Sequence, residues 1–217
     1  MSFADLSHVI EHGMTTYPGL PGPLICDFLS REASRARYAP GVEFQIGKIE
    51  MVANTGTYLD APFHRYPGAI DIAELPLASL ARLEAIVVRA CGGGRVIGPE
   101  AFAGRDVAGR AVLVRTGWDV HWGTSAYLSG HPFLTDAAAE YLVKGGAALV
   151  GIDSLNIDDT ADGSRPVHST LLAAGIPICE HLADLSALPV HGFRFSAVPA
   201  PIRGLGTFPV RAYATFE

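Results

Sequence analysis

Three short apolar runs limit what this chain can become: Ala85–Ala90, Ala111–Thr116 and Ala148–Ile152. Each is too short for an independent helix, is rich in Val, Ile and Leu, and soon meets glycine or aspartate. That combination reads as buried β-strands. With 24 Gly and 15 Pro in 217 residues, the chain turns often and is built from short elements rather than long helices.

The other elements follow from local signals. Phe3–Ile10 reads as a first strand ending at His12-Gly13, and Tyr17–Pro23 is a stiff loop because its prolines and glycines break both helix and ladder. Residues 43–52 place apolar side chains at 42, 44, 46, 49 and 51, a period of two with one slip near Gly47, which predicts a strand with a bulge. Residues 53–64 then read as a loop closed by Tyr66-Pro67-Gly68. Asp136–Lys144 is predicted to be a helix with Thr135 as N-cap and Gly145-Gly146 as its stop. A second helical stretch spans Ser169–Ala174, Pro177–Glu180 begins a strand, and Phe193–Val198 and Val210–Phe216 supply two more. No repeat or linker divides the chain, so residues 1–217 read as one domain. Strands and helices do not alternate as in a doubly wound fold, so the expected class is α/β with a mixed sheet and a barrel-like core.

Composition excludes several functions. Half the residues are apolar, 18% are charged and the net charge is −6, which supports a sizeable core and disfavours nucleic-acid binding. Cys26, Cys91 and Cys179 are too few and too scattered for a disulfide framework or a paired-cysteine zinc site. No apolar run is long enough to span a bilayer and no signal peptide is visible, so a cytoplasmic protein without a membrane partner is expected.

Chemistry concentrates in Asn54-Thr55-Gly56-Thr57-Tyr58-Leu59-Asp60-Ala61-Pro62-Phe63-His64. Asp60 and His64 share one place only if the backbone coils, which Gly56 and Pro62 permit. A surface ion pair or a loop-bracing hydrogen bond accounts for that pair as well as a catalytic site does. Downstream, Asp162–His168 leads into the helical stretch and Glu180 lies on a strand; Asp, His and Glu suit Zn²⁺ or Mn²⁺, and His also suits acid–base work. Spacing alone does not join the two groups. Asp153 and Asp158 are placed to brace the loop that presents His168. Trp118 and Trp122 flank Asp119 and His121, and either line an aromatic-substrate pocket or pack against a strand end.

The stretch resembles the His-x-Gly-Thr-His-x-Asp-x-Pro-x-His signature of the metal-dependent cyclase/hydrolase family, which includes bacterial kynurenine formamidases and isatin hydrolases. Gly56, Thr57, Asp60, Pro62 and His64 match it. Similarity continues through Asp5-Leu6-Ser7-His8, Tyr17-Pro18-Gly19, Thr116-Gly117-Trp118, His131-Pro132, Gly151–Asp158, Val167-His168, Glu180-His181-Leu182, and on to Ala200–Gly204 and Pro209–Ala212. The chain is identified as a member on that ordered set. The resemblance implies a swivelling β/β/α-type fold, a homodimer or higher oligomer, and hydrolysis of an amide or lactam by metal-activated water. It also groups His168 and Glu180 with the signature residues around one cavity.

The signature's two metal-binding histidines are here Asn54 and Tyr58, which are weak ligands. The expected site therefore has His64 and Tyr58 as catalytic groups, Tyr58 donating to a developing oxyanion. Asn54 and Trp118 are assigned to a small, aromatic or cyclic substrate, and Asp60, His168 and Glu180 to Zn or Mn if a metal is bound. The expected activity is that of an arylformamidase-like hydrolase. Two alternatives remain: a metal-independent lyase, cyclase or isomerase on the same scaffold, and a ligand-binding protein without catalysis.

Overall fold

The apolar runs form the middle of one large sheet. The computed structural model describes residues 2–216. Its strands are β1 (Ser2–Asp5), β2 (Leu24–Leu29), β3 (Ile46–Glu50), β4 (Tyr58–Asp60), β5 (Leu83–Arg89), β6 (Val96–Ile97), β7 (Ala111–Arg115), β8 (Phe133–Leu134), β9 (Leu149–Ile152), β10 (Ile178–Glu180), β11 (Phe193–Ser196), β12 (Thr207–Pro209) and β13 (Tyr213–Phe216). The α-helices are α1 (Arg31–Ser34), α2 (Asp136–Gly145) and α3 (Pro166–Ala173). Nine strands make a mixed sheet in the order β1-β13-β11-β5-β7-β9-β10-β4-β12, curled into half a barrel. β5, β7, β9 and β10 are parallel neighbours, and antiparallel strands flank them on both sides. The α/β class with a curled mixed sheet is thus the observed one.

The central strands are continuously apolar because both of their faces are covered. On β5 and β7, Ala85, Val87, Ala111 and Leu113 enter one core with Leu59, Cys179 and Phe195. Their alternate neighbours Ile86, Val88, Val112 and Val114 enter a second core with Leu142, Leu171 and other residues of α2 and α3. Each fully buried Val, Leu or Ile contributes about 1.5–3 kcal/mol of hydrophobic stabilisation before entropy is subtracted. Helix α2 starts where Thr135 Oγ1 accepts from Ala138 N at 3.2 Å, and it ends at the left-handed Gly146.

Several boundaries differ from the sequence reading. β1 stops at Asp5, after which only Ser7 bridges to Leu182. The stretch read as a loop contains β4, which is held between β10 and β12. Helix α3 begins at Pro166 rather than Ser169, so His168 lies within it; Pro fits the first turn, and the Asp158 carboxylate accepts from the N–H groups of Val167 and His168. The slip near Gly47 does mark an irregularity, but the extra residue is Phe28 in the partner strand β2. β2 and β3 pair only with each other, and of their residues only Leu29 is buried. The alternation there does not reflect a half-buried strand. No helix among the described residues is long and apolar enough to cross a membrane.

One close approach fixes the site loop. Gly206 O accepts from Ala61 N at 2.7 Å, and a Cβ at Gly206 would lie 2.4 Å from the His64 backbone N. Gly206→Ala is expected to cost about 1–3 kcal/mol through backbone overpacking. A urea midpoint equal to the parent's would show that the loop can move away freely.

Candidate active site

Strand pairing assembles the site. Tyr58 lies opposite Glu180 and Asp60 opposite Ile178 across β4 and β10, while Thr207 on β12 lies opposite Asp60. Side chains alternate along a strand. Leu59 and Cys179 therefore enter one core, and Tyr58, Asp60 and Glu180 face the side covered by α3. His168, in the first turn of α3, sits above them.

Asp60, His168 and Glu180 are all buried, with one ligand atom of each lying within 4.8 Å of the others. His168 Nε2 is 3.7 Å from Asp60 Oδ2 and 3.7 Å from Glu180 Oε1. Nδ1 of His168 is 2.6 Å from Asp158 Oδ2 and donates to it, which turns Nε2 toward the other two carboxylates. A carboxylate behind the imidazole in this way is the usual support for a metal-binding histidine. Asp60 Oδ2 is buried without a hydrogen-bond partner, an atom left for a cation. Tetrahedral zinc with bonds near 2.1 Å separates its ligands by about 3.4 Å, close to the spacings here. The residues fit one divalent ion.

The charges compensate one another. Burial lowers the His168 pKa, but Glu180, the bond to Asp158 and Asp60 outweigh it and push it up to about 10. Burial, with Asp60 adding to it, raises Glu180 to about 7 against the pull of His168, Tyr58 and Ile157 N–H. Burial also acts on Asp60, but His64, His168 and Thr207 hold that carboxyl below its ordinary value. Two carboxylates in one site are thus driven apart by environment.

His64 stands at the edge of this cluster with its side chain 36% exposed. Thr207 Oγ1 donates to Asp60 Oδ1 at 2.5 Å and is 2.8 Å from His64 Nδ1. The hydroxyl has one proton, so in the neutral tautomer this network allows, the ring proton sits on Nδ1 and Nε2 is the acceptor.

Tyr58 is committed elsewhere than the sequence reading expected. Its hydroxyl donates to Glu180 Oε2 at 2.7 Å rather than into open space, and it is approached by His181 Nε2 at 3.3 Å. Burial and the nearby Glu180 and Asp60 charges keep the phenol protonated. The Asn54 side chain lies beside this hydroxyl, and both residues line a cavity of about 430 Å³ together with His64, His168 and Glu180. Trp118 does not line that cavity; its indole N–H donates to Tyr127 O at 3.1 Å. Asp158 braces His168, whereas Asp153 accepts from Thr116 and Gly117 at the end of β7.

Sequence reasoning gave no role to Thr207, Asn156 (Nδ2 to Glu180 Oε2, 3.3 Å) or Arg165; the stiff loop it read at Tyr17–Pro23 does wall the cavity, through Tyr17 to Leu20. Strand register places Thr207 and the α3 boundary places Arg165, whereas Asn156 and Tyr17 reach the site from loops. His181, read from the sequence as structural or exposed, is fully buried with positive φ, and Tyr127 OH lies 2.9 Å from its Nδ1.

Residues 4–159 match the family model described as "Putative cyclase". A kynurenine formamidase of Bordetella avium is 29% identical over 212 residues, covering 96% of this chain and 95% of that protein. A solved potential metal-dependent hydrolase with cyclase activity is 25% identical with a TM-score of 0.80, covering 98% of this chain and 96% of that one. The isatin hydrolase A of Labrenzia aggregata superposes with a TM-score of 0.84 at 22% identity over 99% of this chain and 93% of its own, which is a likeness of fold.

Burial, together with the nearby His8 and His131, pushes the His181 pKa down to about 3. A histidine kept neutral in the folded state contributes stability above its unfolded pKa, near 6.5, and loses it as pH falls. The stability gap between the parent and His181→Gln should therefore shrink by about 1.4 kcal/mol per pH unit below pH 6.5. Urea titrations from pH 7.5 to 5.0 measure it, and parallel curves would place a charged His181 in the folded state.

Proposed function

The chain belongs to the cyclase family, and from that premise we propose that it is an arylformamidase-like hydrolase that cleaves the C–N bond of a small aromatic or cyclic amide. The observation that carries this reading is the buried Asp60–His168–Glu180 set with its orphaned Asp60 Oδ2, opening on a cavity edged by the His64 lone pair. The curated relative and the structural neighbour named as a hydrolase support it.

Asp60, His168 and Glu180 would hold Zn²⁺ or Mn²⁺, and the ion supplies Lewis acidity that polarises an amide carbonyl and makes water nucleophilic at neutral pH. His64 Nε2 is the general base: it takes a proton from the attacking water as the new C–O bond forms, then returns it to the nitrogen as the C–N bond breaks. Thr207 fixes the tautomer that makes this possible. Tyr58 and Asn156 steady Glu180 by hydrogen bonds, and Asn54 faces the substrate.

A second reading has its own observation. His168, flanked by Asp60, Glu180 and Asp158, is a charge-compensated array in its own right, and it would serve metal-independent acid–base chemistry. Metal analysis separates the two. One equivalent of Zn or Mn, lost in Asp60→Ala, supports the hydrolase. Metal-free protein after reconstitution refutes its metal-dependent form. On N-formyl arylamines, His64→Ala should lower kcat by about 10²–10⁴; undiminished turnover removes His64 from the chemistry.

We further propose a homodimer in a cytoplasmic setting. The β2–β3 ribbon exposes Phe28 (73%) and Ile49 (59%), and a two-stranded ribbon is marginal alone. Exposed free thiols at Cys26 and Cys91 suit a reducing compartment. Light scattering should find a dimer that dissociates when both Phe28 and Ile49 are changed to Asp.

A further inference from the structure

His131, in the loop before β8, is fully buried, and nothing in the chemistry above uses it. Its Nε2 lies 3.0 Å from Asp158 O. A carbonyl oxygen only accepts, so Nε2 carries the ring proton and donates it. Nδ1 is then an acceptor, buried and without a partner among the described residues. Burial holds the ring below the ordinary histidine pKa, so it is neutral at pH 7. A phenyl ring would fill the same space without stranding an acceptor, so packing alone does not call for an imidazole here.

The segment that begins at His131 grips the loop 154–158. Ser154 Oγ donates to Pro132 O at 2.7 Å, and Leu134 N donates to Ile157 O at 2.9 Å. The His131 bond closes the far end of that loop, at Asp158 O. The gripping segment is itself anchored from behind: Arg95 Nε donates to His131 O at 3.2 Å, and Phe133 N donates to Arg95 O at 2.8 Å. The gripped loop is the one that steadies two residues of the site. Ile157 N–H donates to Glu180 Oε1 at 2.6 Å, and Asn156 Nδ2 reaches Glu180 Oε2. The Asp158 carboxylate accepts from His168 Nδ1 at 2.6 Å and from the N–H groups of Val167 and His168. Carbonyl and carboxylate leave the same residue, so a shift of the Asp158 carbonyl carries the carboxylate with it.

We infer that His131 is a positioning residue for His168: by holding the Asp158 carbonyl it sets where the Asp158 carboxylate meets His168 Nδ1, and thereby where His168 Nε2 points. The role deepens the reading of Asp60, His168 and Glu180 as the reactive set, and its effect on metal binding rests on that reading. The partner behind a buried imidazole fixes the aim of the ring in front of it. Here that partner is fixed in turn by a second imidazole, whose rigid ring delivers one N–H to one main-chain oxygen. The same bond keeps Ile157 N–H in place against Glu180, so one contact supports both a nitrogen and a carboxylate of the site.

The test uses protein labelled with ¹⁵N-histidine, in which the His168 Nδ1–H cross-peak is identified by its loss in His168→Gln. His131→Phe keeps a ring and removes the donor, while His131→Gln offers an amide N–H at similar reach. Ser196→Ala is the control: it removes a buried hydroxyl on β11, away from the loop, that accepts from Arg82 N at 3.0 Å. The parent and Ser196→Ala should show a cross-peak protected from exchange with water; His131→Phe should lose it and His131→Gln should recover it. Co²⁺ titrations followed by visible absorption should give a Kd about tenfold to a hundredfold higher in His131→Phe, the usual cost of removing support behind a metal-binding histidine. A His131→Phe protein that loses urea stability as Ser196→Ala does, but keeps the cross-peak and the Co²⁺ Kd, overturns the inference. An unprotected His168 Nδ1–H in the parent overturns it as well. If His131→Phe does not fold, His131→Asn, whose amide stops short of Asp158, is set against His131→Gln, and equal behaviour of these two overturns the inference. A cross-peak that depends on His131, in a parent that binds no Co²⁺, ends the metal-dependent hydrolase reading and leaves the positioning role standing.

Discussion

Two buried carboxylates and one imidazole on the α3 side of the sheet are the constraint that the rest of the structure serves. Carboxylates taken out of water are costly unless they are paired, hydrogen-bonded or bound to a cation. Here each oxygen except Asp60 Oδ2 has a partner: Thr207, Ile157 N–H, Tyr58 or Asn156. The imidazole between them is turned by Asp158, the same residue whose carboxylate caps α3. Helix placement and charge compensation are therefore one arrangement, and weakening the cap would also misdirect His168.

The altered signature reads differently once this network is visible. Asn54 and Tyr58 stand where the family signature has histidines. Tyr58 does not leave a gap there. Its proton goes to Glu180, and its oxygen is supported by His181 and the neighbouring Asn54 side chain. A neutral phenol at that point makes Glu180 a better-anchored oxygen donor, and it leaves three strong ligands on one side of the cavity. The substitutions are consistent with a site reorganised around Asp60, His168 and Glu180.

Much of the fold was legible because it is local. Ala85–Val88 and Ala111–Val114 are apolar at every position and all buried, and Thr135 with Gly146 bounds α2 through bonds made within a few residues. Where the reading failed, a distant partner decided. β4 is a strand only because β10 and β12 flank it, α3 starts early because Asp158 reaches its first turn, and the β2–β3 alternation faces solvent because nothing among the described residues covers it.

The sequence by itself determined the residue types the chemistry needs, the short-stranded α/β class, and the resemblance that joins Asp60 and His64 to His168 and Glu180. The tertiary structure decided which of them share a face, which atoms they hydrogen-bond, and that Arg165 and Thr207 belong with them while Trp118 does not. The physical reason is that residue type and local propensity are properties of neighbours in the chain. Strand register is not: pairing Tyr58 with Glu180 and Thr207 with Asp60 spans more than a hundred residues, and a slip of one would send every one of these side chains into the opposite core.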